Sequence, residues 1–142
     1  PLSLHDALPI YNAVARAYEE DGVTPKYYVA YEGTVTAGID FSKIVIDIDE
    51  DTKIITITLP ESEIQNTTVD FGSMDYIFEN KKYETETVSQ EAYELCKTDL
   101  ARRAAKENDL MTLAKENAVT AVEALVDPWV QQIDGEYKVN IK

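Results

Sequence analysis

Two alternating runs joined by a short polar turn decide how this chain folds: residues 43–59 read KIVIDIDEDTKIITITL. A period of two is that of a β-strand with one buried face, so the stretch predicts a β-hairpin with a buried isoleucine face. Pro60 ends the second strand, because proline has no N–H to donate to a neighbouring strand. The large aliphatic side chains at alternate positions are Ile44, Ile46, Ile48, Ile55, Ile57 and Leu59.

Weaker strand patterns lie on both sides of this hairpin. In residues 26–36, aromatic and β-branched side chains alternate with smaller or polar ones, and Gly33 predicts a bend. Residues 11–20 have mixed propensities and are interpreted as the remnant of a larger N-terminal element. Further extended segments are predicted at residues 63–69, 74–78 and 137–141.

Two consecutive helices are predicted before the last of these segments, because apolar residues recur there at helical spacing. Asn108-Asp109 separates the two helices, and Pro128 is predicted to end the second one. The first apolar stripe is Ala92, Leu95, Cys96, Leu100 and Ala104, and the second is Leu110, Ala114, Ala118, Ala121, Val122 and Leu125.

The order of these elements predicts an α+β fold. We expect a mostly antiparallel sheet with a central β-hairpin, two consecutive C-terminal helices packed on one sheet face, and a final returning strand. The sequence contains neither an internal repeat nor a linker. Residues 11–142 are therefore predicted to form a single α+β domain.

The charge balance argues against several classes of partner. Among 142 residues, 27 are acidic and 13 are basic, which gives a formal net charge of −14. Nucleic-acid binding needs Lys and Arg to replace the counterions of the phosphates, so no nucleic-acid partner is predicted. Adhesion to an anionic membrane through a basic patch is disfavoured for the same reason. The single cysteine, Cys96, can form no intrachain disulfide.

The first ten residues do not look like natural protein sequence. Residues 2–10 read LSLHDALPI, which resembles, residue for residue, the translation of a short-read sequencing adapter. Residues 1–10 are therefore expected to be a non-native, adapter-derived segment, and His5, the sole histidine, is expected to be foreign. On this interpretation the domain is N-terminally truncated, and a signal peptide or membrane anchor could have been lost with the upstream segment.

Several segments resemble DUF4230, a bacterial family of uncharacterised function. The most specific is residues 26–44, KYYVAYEGTVTAGIDFSKI, and IITITLP at 54–60, KENDL at 106–110, AKENA at 114–118 and EYKVNIK at 136–142 also resemble it. The resemblance implies a hydrophobic anchor near the N-terminus, followed by this domain outside the cytoplasm. It brings no catalytic residues, and the chain departs from the family pattern at Asp109, where relatives tend to have glycine.

Candidate metal ligands are confined to the hairpin. Asp47, Asp49 and Asp51 are spaced like the first three ligands of a calcium loop. Such a loop also needs glycine at its sixth position and glutamate at its twelfth, and those positions hold Thr52 and Thr58. Alternating carboxylates on the solvent face of a hairpin explain the pattern more simply, so no metal site and no cofactor are predicted.

Candidate binding residues lie on the tyrosine-rich strand. Tyr28 and Tyr31 are the candidates for stacking on a small molecule or glycan, although tyrosines also pack across sheets with no ligand. Cys96 lies in an apolar helical stripe and is interpreted as a small hydrophobe. Arg102-Arg103 is interpreted as a solvated patch in an acidic surface.

No arrangement of these residues indicates catalysis, so the chain is predicted not to be an enzyme. The leading hypothesis is a non-catalytic accessory or interaction domain of the cell envelope, with a protein partner. It would contact the membrane only through the missing N-terminal anchor. The alternative is a small-molecule or glycan-binding module that uses the tyrosines. A carboxylate hydrolase ranks last and would require two close, desolvated acids.

Overall fold

The computed structural model describes residues 9–142, which fall into two compact units. The first unit is formed by Ala37–Glu63 with Asn108–Lys142, and the second by residues 9–36 with Ile64–Glu107. In chain order the strands and α-helices are β1 (Ile10–Tyr18), β2 (Pro25–Gly38), β3 (Val45–Asp49), β4 (Ile54–Thr58), β5 (Glu63–Val69), β6 (Asp75–Phe78), α1 (Val88–Ala105), α2 (Asn108–Ile133) and β7 (Lys138–Ile141).

The predicted α+β class is confirmed, with the strands arranged in two sheets rather than one. The expected adapter-derived segment and His5 lie outside the described residues, apart from Pro9 and from Ile10, which begins β1. The extended segments predicted at residues 63–69 and 74–78 correspond to β5 and β6.

The sheet of the second unit is built around the long strand β2. Strand β1 pairs antiparallel with β2 from Ile10 opposite Thr34 to Tyr18 opposite Pro25, and β6 also pairs antiparallel with β2. Most of residues 11–20, for which the sequence predicted no regular element, therefore belong to β1. The face of this strand that packs against the core consists largely of alanines, such as Ala15, which is buried. Alanine has a weak strand propensity, so the alternation carries little signal.

Helix α1 supplies the other half of this core. Most of its predicted apolar stripe is buried, and Leu95 is half-buried. At Gly33, which lies inside the continuous strand β2, an added Cβ would approach Leu100 Cδ2 to 2.6 Å and the Thr68 carbonyl oxygen to 2.8 Å. Glycine is needed there because the helix and the neighbouring backbone approach too closely for a side chain. The fully buried stripe residues are Ala92, Cys96, Leu100 and Ala104.

The sheet of the first unit has the strand order β3-β4-β7. The predicted hairpin is confirmed as β3 and β4, which pair antiparallel from Val45 opposite Thr58 to Asp49 opposite Ile54. Strand β7 returns and pairs parallel with β4. Helix α2 packs against this sheet, and their shared core contains Ile39, Ile55, Ile57, Leu59, Ala118, Val122 and Val130.

The hairpin loop is held by local interactions. The Asp49 carboxylate accepts hydrogen bonds from the backbone N–H of Asp51 at 3.0 Å and of Thr52 at 3.2 Å. Lys53 completes the turn with φ of 56°, in the left-handed region. Its ammonium is bound by Asp134 and Glu136, which ties the loop to the segment that precedes β7.

Two predictions about burial and helix length in this unit were wrong. The isoleucine face of the hairpin is buried on β4 but not on β3, where Ile46 and Ile48 are 61% and 53% exposed. Helix α2 continues through Pro128 as far as Ile133. The continuation carries Val130 into the core, and burial of such a side chain offsets part of the cost of an internal proline.

Candidate functional site

Strand β3 leaves one of its edges open. It lies at the end of its sheet and pairs only with β4, and all five of its residues are exposed. An open edge presents backbone N–H and C=O groups with which a further strand can pair. Proteins commonly block such an edge with charged side chains, above all lysine, with proline or with a bulge. The charged residues of β3 are Asp47 and Asp49. Val45–Asp49 contains neither proline nor lysine, and its register with β4 is regular.

The exposed isoleucines lie on the face of the sheet that carries the core. Ile46 is directly opposite Ile57, and Ile48 is directly opposite Ile55, so each pair shares one face. Ile55 and Ile57 belong to the core under α2, whereas Ile46 and Ile48 do not. The apolar face of the sheet therefore extends beyond the residues that α2 covers, and its last row, on β3, is exposed to solvent.

Helix α2 exposes a matching apolar stripe near its C-terminal end. Leu125, Trp129 and Ile133 are four residues apart, which places them on one side of the helix. All three are exposed, Trp129 by 54%. Leu125 belongs to the apolar stripe predicted for the second helix, yet it is 68% exposed. Their common signal, a spacing of four residues, is visible in the sequence only if the helix is allowed to pass Pro128.

A shallow groove lies between this helical stripe and the hairpin. Its volume is about 220 Å³. Ile48 and Ile55 contribute from the sheet, Trp129 and Ile133 from α2, and Tyr137 from the segment before β7. We refer to the open edge of β3, with Ile46, Ile48, Trp129 and Ile133, as the edge surface.

The rim of the edge surface is acidic. Asp47 and Asp49 point to the face of β3 opposite Ile46 and Ile48, because successive side chains of a strand alternate. Backbone hydrogen bonds from Thr52 and Asp51 hold the pKa of Asp49 below its usual value, so this carboxylate stays ionised at neutral pH. Nearby, the backbone N–H of Glu136 and the ammonium of Lys53 lower the pKa of Asp134.

The three candidate metal ligands, for which the sequence predicted no metal site, do not converge on one point. Asp47 and Asp49 lie on β3, Asp51 lies in the loop, and the Asp49 carboxylate is used to cap that loop. Among residues 9–142, no group of three or more histidine, cysteine or acidic side chains could hold a metal ion.

The two candidate tyrosines lie on opposite faces of β2. Tyr28 is half-buried, and the guanidinium of Arg16 lies over its ring, 5.9 Å from the centroid. Tyr31 is buried in the core, and its hydroxyl donates a hydrogen bond of 2.7 Å to Asp99 Oδ2. They therefore do not line a common pocket with their hydroxyls, as stacking on one ligand would require.

Asp99 is a residue whose role the sequence did not reveal. It is 4% exposed, the one buried acid within residues 9–142, and it also accepts from Arg103 Nε at 2.7 Å and from Arg102. The available signal was an acid among the buried positions of α1, followed by arginines three and four residues later. Cys96 lies one turn before it, fully buried, and burial raises the pKa of its thiol to about 11.

These features define the class of the molecule as an α+β domain with an open, apolar strand edge. Residues 8–141 match the family model of DUF4230, described as a protein of unknown function, and the chain belongs to this family. The predicted resemblance is thereby confirmed. No curated protein and no solved structure matches the chain. Within residues 9–142, no helix combines the length and the apolar character needed to cross a membrane.

Proposed function

We propose that this chain is a non-catalytic interaction domain that binds an extended segment of a partner protein along the open edge of β3. The edge surface carries this proposal. A strand edge without proline, lysine or a bulge lies beside exposed Ile48 and Trp129. Exposed apolar side chains of this kind are otherwise costly to leave in water. A partner strand would pair its backbone with β3 and place alternate side chains against the isoleucines.

The size of the groove favours a protein segment over a free small molecule. Pockets for small ligands usually have volumes of about 300–1000 Å³ and surround most of the ligand. The groove of the edge surface is smaller, about 220 Å³. It would accept one or two apolar side chains of a bound strand, which main-chain hydrogen bonds to β3 would hold in place.

The charges around the edge specify the chemistry of the partner. Asp47 and Asp49 alternate with Ile46 and Ile48, so a complementary strand alternates apolar residues with lysine or arginine. A second copy of this chain is a poorer occupant, because pairing β3 with β3 would place two rows of aspartates side by side. The net charge of −14 adds repulsion between two copies.

The non-catalytic part of the proposal rests on the state of the acids. A carboxylate hydrolase needs two close acids, of which one is desolvated. Among the residues that the structure describes, Asp99 is the one buried acid, and two arginines and a tyrosine occupy its oxygens. The oxygens of this carboxylate are therefore engaged in hydrogen bonds to the protein itself.

The cellular setting is a separate part of the proposal and rests on the family resemblance alone. We place the full-length protein in the cell envelope, tethered by a hydrophobic N-terminal segment. Long-read sequencing of the source gene should reveal an apolar span of about 20 codons upstream. Fractionation should then recover the full-length product in the membrane fraction, with this domain accessible to external protease. Recovery in the cytoplasmic fraction would rule out the envelope location.

The partner proposal can be tested with the fluorescence of Trp129, the only tryptophan in the chain. The probe is a short synthetic peptide that alternates valine and lysine, compared with one that alternates valine and glutamate. Because Trp129 is half-exposed in the groove, burial by a bound strand should shift its emission to shorter wavelength. We expect a saturable shift with the lysine peptide and none with the glutamate peptide.

Two matched variants distinguish peptide binding at the edge of β3 from nonspecific binding to exposed apolar side chains elsewhere. Ile48→Thr removes an exposed apolar side chain from β3, and Ile77→Thr makes the same change on β6, where Ile77 is also exposed. We expect Ile48→Thr to weaken the peptide at least about fivefold and Ile77→Thr to leave its affinity unchanged. Equal effects of the two variants, or equal binding of both peptides, would refute the proposal. Dimers at micromolar concentration that Ile48→Thr dissociates would instead assign the edge to a second copy.

A further inference from the structure

All three arginines of this acidic chain line one groove in the second unit. The groove has a volume of about 580 Å³ and runs between β1 and α1. Arg16 comes from the strand, and Arg102 and Arg103 come from the last turn of the helix. The chain has ten lysines, and none of them is among the lining residues. The positive charges of the groove are therefore all carried by guanidinium groups.

The guanidinium groups outnumber the carboxylates that could neutralise them. Asp99 is the one acid among the lining residues, which leaves a formal charge of +2 on this set. Within residues 9–142, Arg16 forms a cation–π contact with Tyr28 and neither a hydrogen bond nor an ion pair. Its donors are therefore available to a ligand.

The two helical arginines are held in position and still keep free donors. Arg103 donates from Nε to Asp99 and from Nη2 to the Val14 carbonyl at 3.0 Å. Arg102 donates from Nη2 to Asp99, and its side chain is 60% exposed. A guanidinium has five N–H donors, so one aspartate cannot satisfy two of them. Buried Asp99 thus positions two arginines that line the groove, and each has N–H groups that Asp99 does not use.

The rest of the lining suits a small molecule. Asn12 and Thr98 add polar groups, and Val14 and Leu95 add apolar surface. The volume lies within the range of about 300–1000 Å³ that is usual for small-ligand sites. A partner strand is a poorer occupant, because Arg103 already occupies the carbonyl of Val14 in the middle of β1.

We propose that this groove binds a small organic anion through a carboxylate or phosphate group held by Arg16 and Arg102. Guanidinium groups recognise these planar or tetrahedral anions with paired, charge-assisted hydrogen bonds. The net charge of −14 repels a long polyanion, but a small ligand in the groove responds mainly to charges within a Debye length of about 8–10 Å. Free metabolites and lipid headgroups both carry such an anionic group.

Nitrogen-15 NMR can test this site directly, because three arginines give three side-chain Nε–H signals. The probe is glycerol 3-phosphate, titrated at constant ionic strength with sodium chloride as the compensating salt. We expect saturable shifts of the Arg16 and Arg102 signals. Arg16→Gln and Arg102→Gln should each weaken binding about tenfold or more. Lys81→Gln/Lys82→Gln, which removes two exposed charges elsewhere in the same unit, should leave the affinity unchanged.

Vesicles distinguish the two sources of the anion. Cosedimentation with phosphatidylglycerol vesicles but not with phosphatidylcholine vesicles, abolished by Arg16→Gln, would assign the site to a lipid headgroup. Binding of glycerol 3-phosphate without vesicle binding would assign it to a free anion. Absence of both, or equal losses in the arginine and lysine variants, would overturn the proposal. None of these readouts involves β3 or Trp129, so they fail or succeed independently of the proposed partner site.

Discussion

Asp99 shows how one buried side chain can organise a whole region. Its two carboxylate oxygens accept from the hydroxyl of Tyr31 and from the guanidinium groups of Arg102 and Arg103. Tyr31 comes from the middle of β2, and the other three residues come from α1. A buried charge is tolerated only when it is paired and hydrogen-bonded, so this network fixes the helix on the sheet as well as the orientation of the arginines.

The first prediction concerns the tyrosine of this network. Tyr31→Phe removes one donor to a buried carboxylate and should lower the free energy of unfolding by about 1–2 kcal/mol, measured by urea denaturation. Tyr28→Phe is the matched control, because Tyr28 lies on the opposite face of β2 and is only half-buried. We expect its effect to be below about 0.5 kcal/mol. Equal losses in both variants would show that the hydroxyl of Tyr31 adds nothing specific.

The second prediction concerns alkaline pH. Burial raises the pKa of Tyr27 to about 12 from 10.0 and that of Cys96 to about 11 from 9.0. The folded state therefore retains protons that the unfolded state has already lost, and the free energy of unfolding must fall as pH rises from about 9 to 12. Burial and the hydrogen bond to Asp99 also raise the pKa of Tyr31. Tyr27→Phe should therefore remove only the contribution of Tyr27 to this fall, on the order of 1 kcal/mol by pH 11.

The measurement is the midpoint of urea denaturation of the wild-type protein and of Tyr27→Phe, at pH 8 and at pH 11. At pH 8 both groups are protonated in either state, so the comparison there gives the cost of removing the hydroxyl alone. A wild-type midpoint that stays constant up to pH 11 would contradict the assignment of these buried groups.

At the scale of the elements, the packing of α1 on β2 depends on Gly33. Gly33→Ala would place a Cβ 2.6 Å from Leu100 Cδ2 and 2.8 Å from the backbone oxygen of Thr68. Leu100 can change rotamer, but the backbone cannot move without disturbing the sheet. We therefore expect a loss of about 1–3 kcal/mol in the free energy of unfolding, which is typical of an overpacked core.

Two further variants identify the cause of that loss. Gly72→Ala meets only an Asp70 oxygen at 3.5 Å, an ordinary contact, and should change stability by less than about 0.5 kcal/mol. Adding Leu100→Ala to Gly33→Ala should not restore stability, because the clash with Thr68 remains. Full recovery in the double variant would locate the whole conflict in the leucine side chain.

The strands and helices of this chain could be predicted where the pattern of apolar residues within the segment itself is clear. The hairpin was found because alternation along β3 and β4 is strong, and α1 was found because its stripe has helical spacing. Strand β1 was missed because alanine faces the core. The exposure of Ile46 and Ile48 was missed because it depends on which strands α2 covers, and nothing in the hairpin sequence specifies that coverage.

The candidate sites depend on the same long-range information. The edge surface exists because α2 continues past Pro128. The sequence predicts the opposite, since proline disfavours the interior of a helix. The arginine groove requires Arg16 and the Arg102-Arg103 pair to meet from elements far apart in the chain. The spacings within each element are local, and nothing in the sequence shows which elements meet. The family resemblance relies on contiguous motifs and was therefore accessible.

At the scale of the whole molecule, charge is the dominant feature. A formal net charge of −14 makes the folded state repel itself, and salt should screen that repulsion. The Debye length falls from about 30 Å at 0.01 M salt to about 8 Å at 0.15 M. We expect the urea midpoint to rise over this range of sodium chloride concentrations.

A charge-reversed variant provides the control for this prediction. Glu94→Lys/Glu123→Lys changes two exposed helical positions and makes the net charge less negative, so the salt dependence should become shallower. A midpoint that falls with salt in both proteins would mean that specific pairs, such as those at Asp99, outweigh the general repulsion.

The discontinuous first unit has a consequence for how a ribosome makes this protein. The second unit is complete once Glu107 has been synthesised, but β4 must wait for Lys138–Ile141 before it gains its parallel neighbour. At about 5–20 residues per second, the nascent hairpin waits roughly 2–7 s beyond Glu107. During that interval the isoleucines of β4 lack their full cover, and a chaperone that shields nascent strands would act on the hairpin at this point.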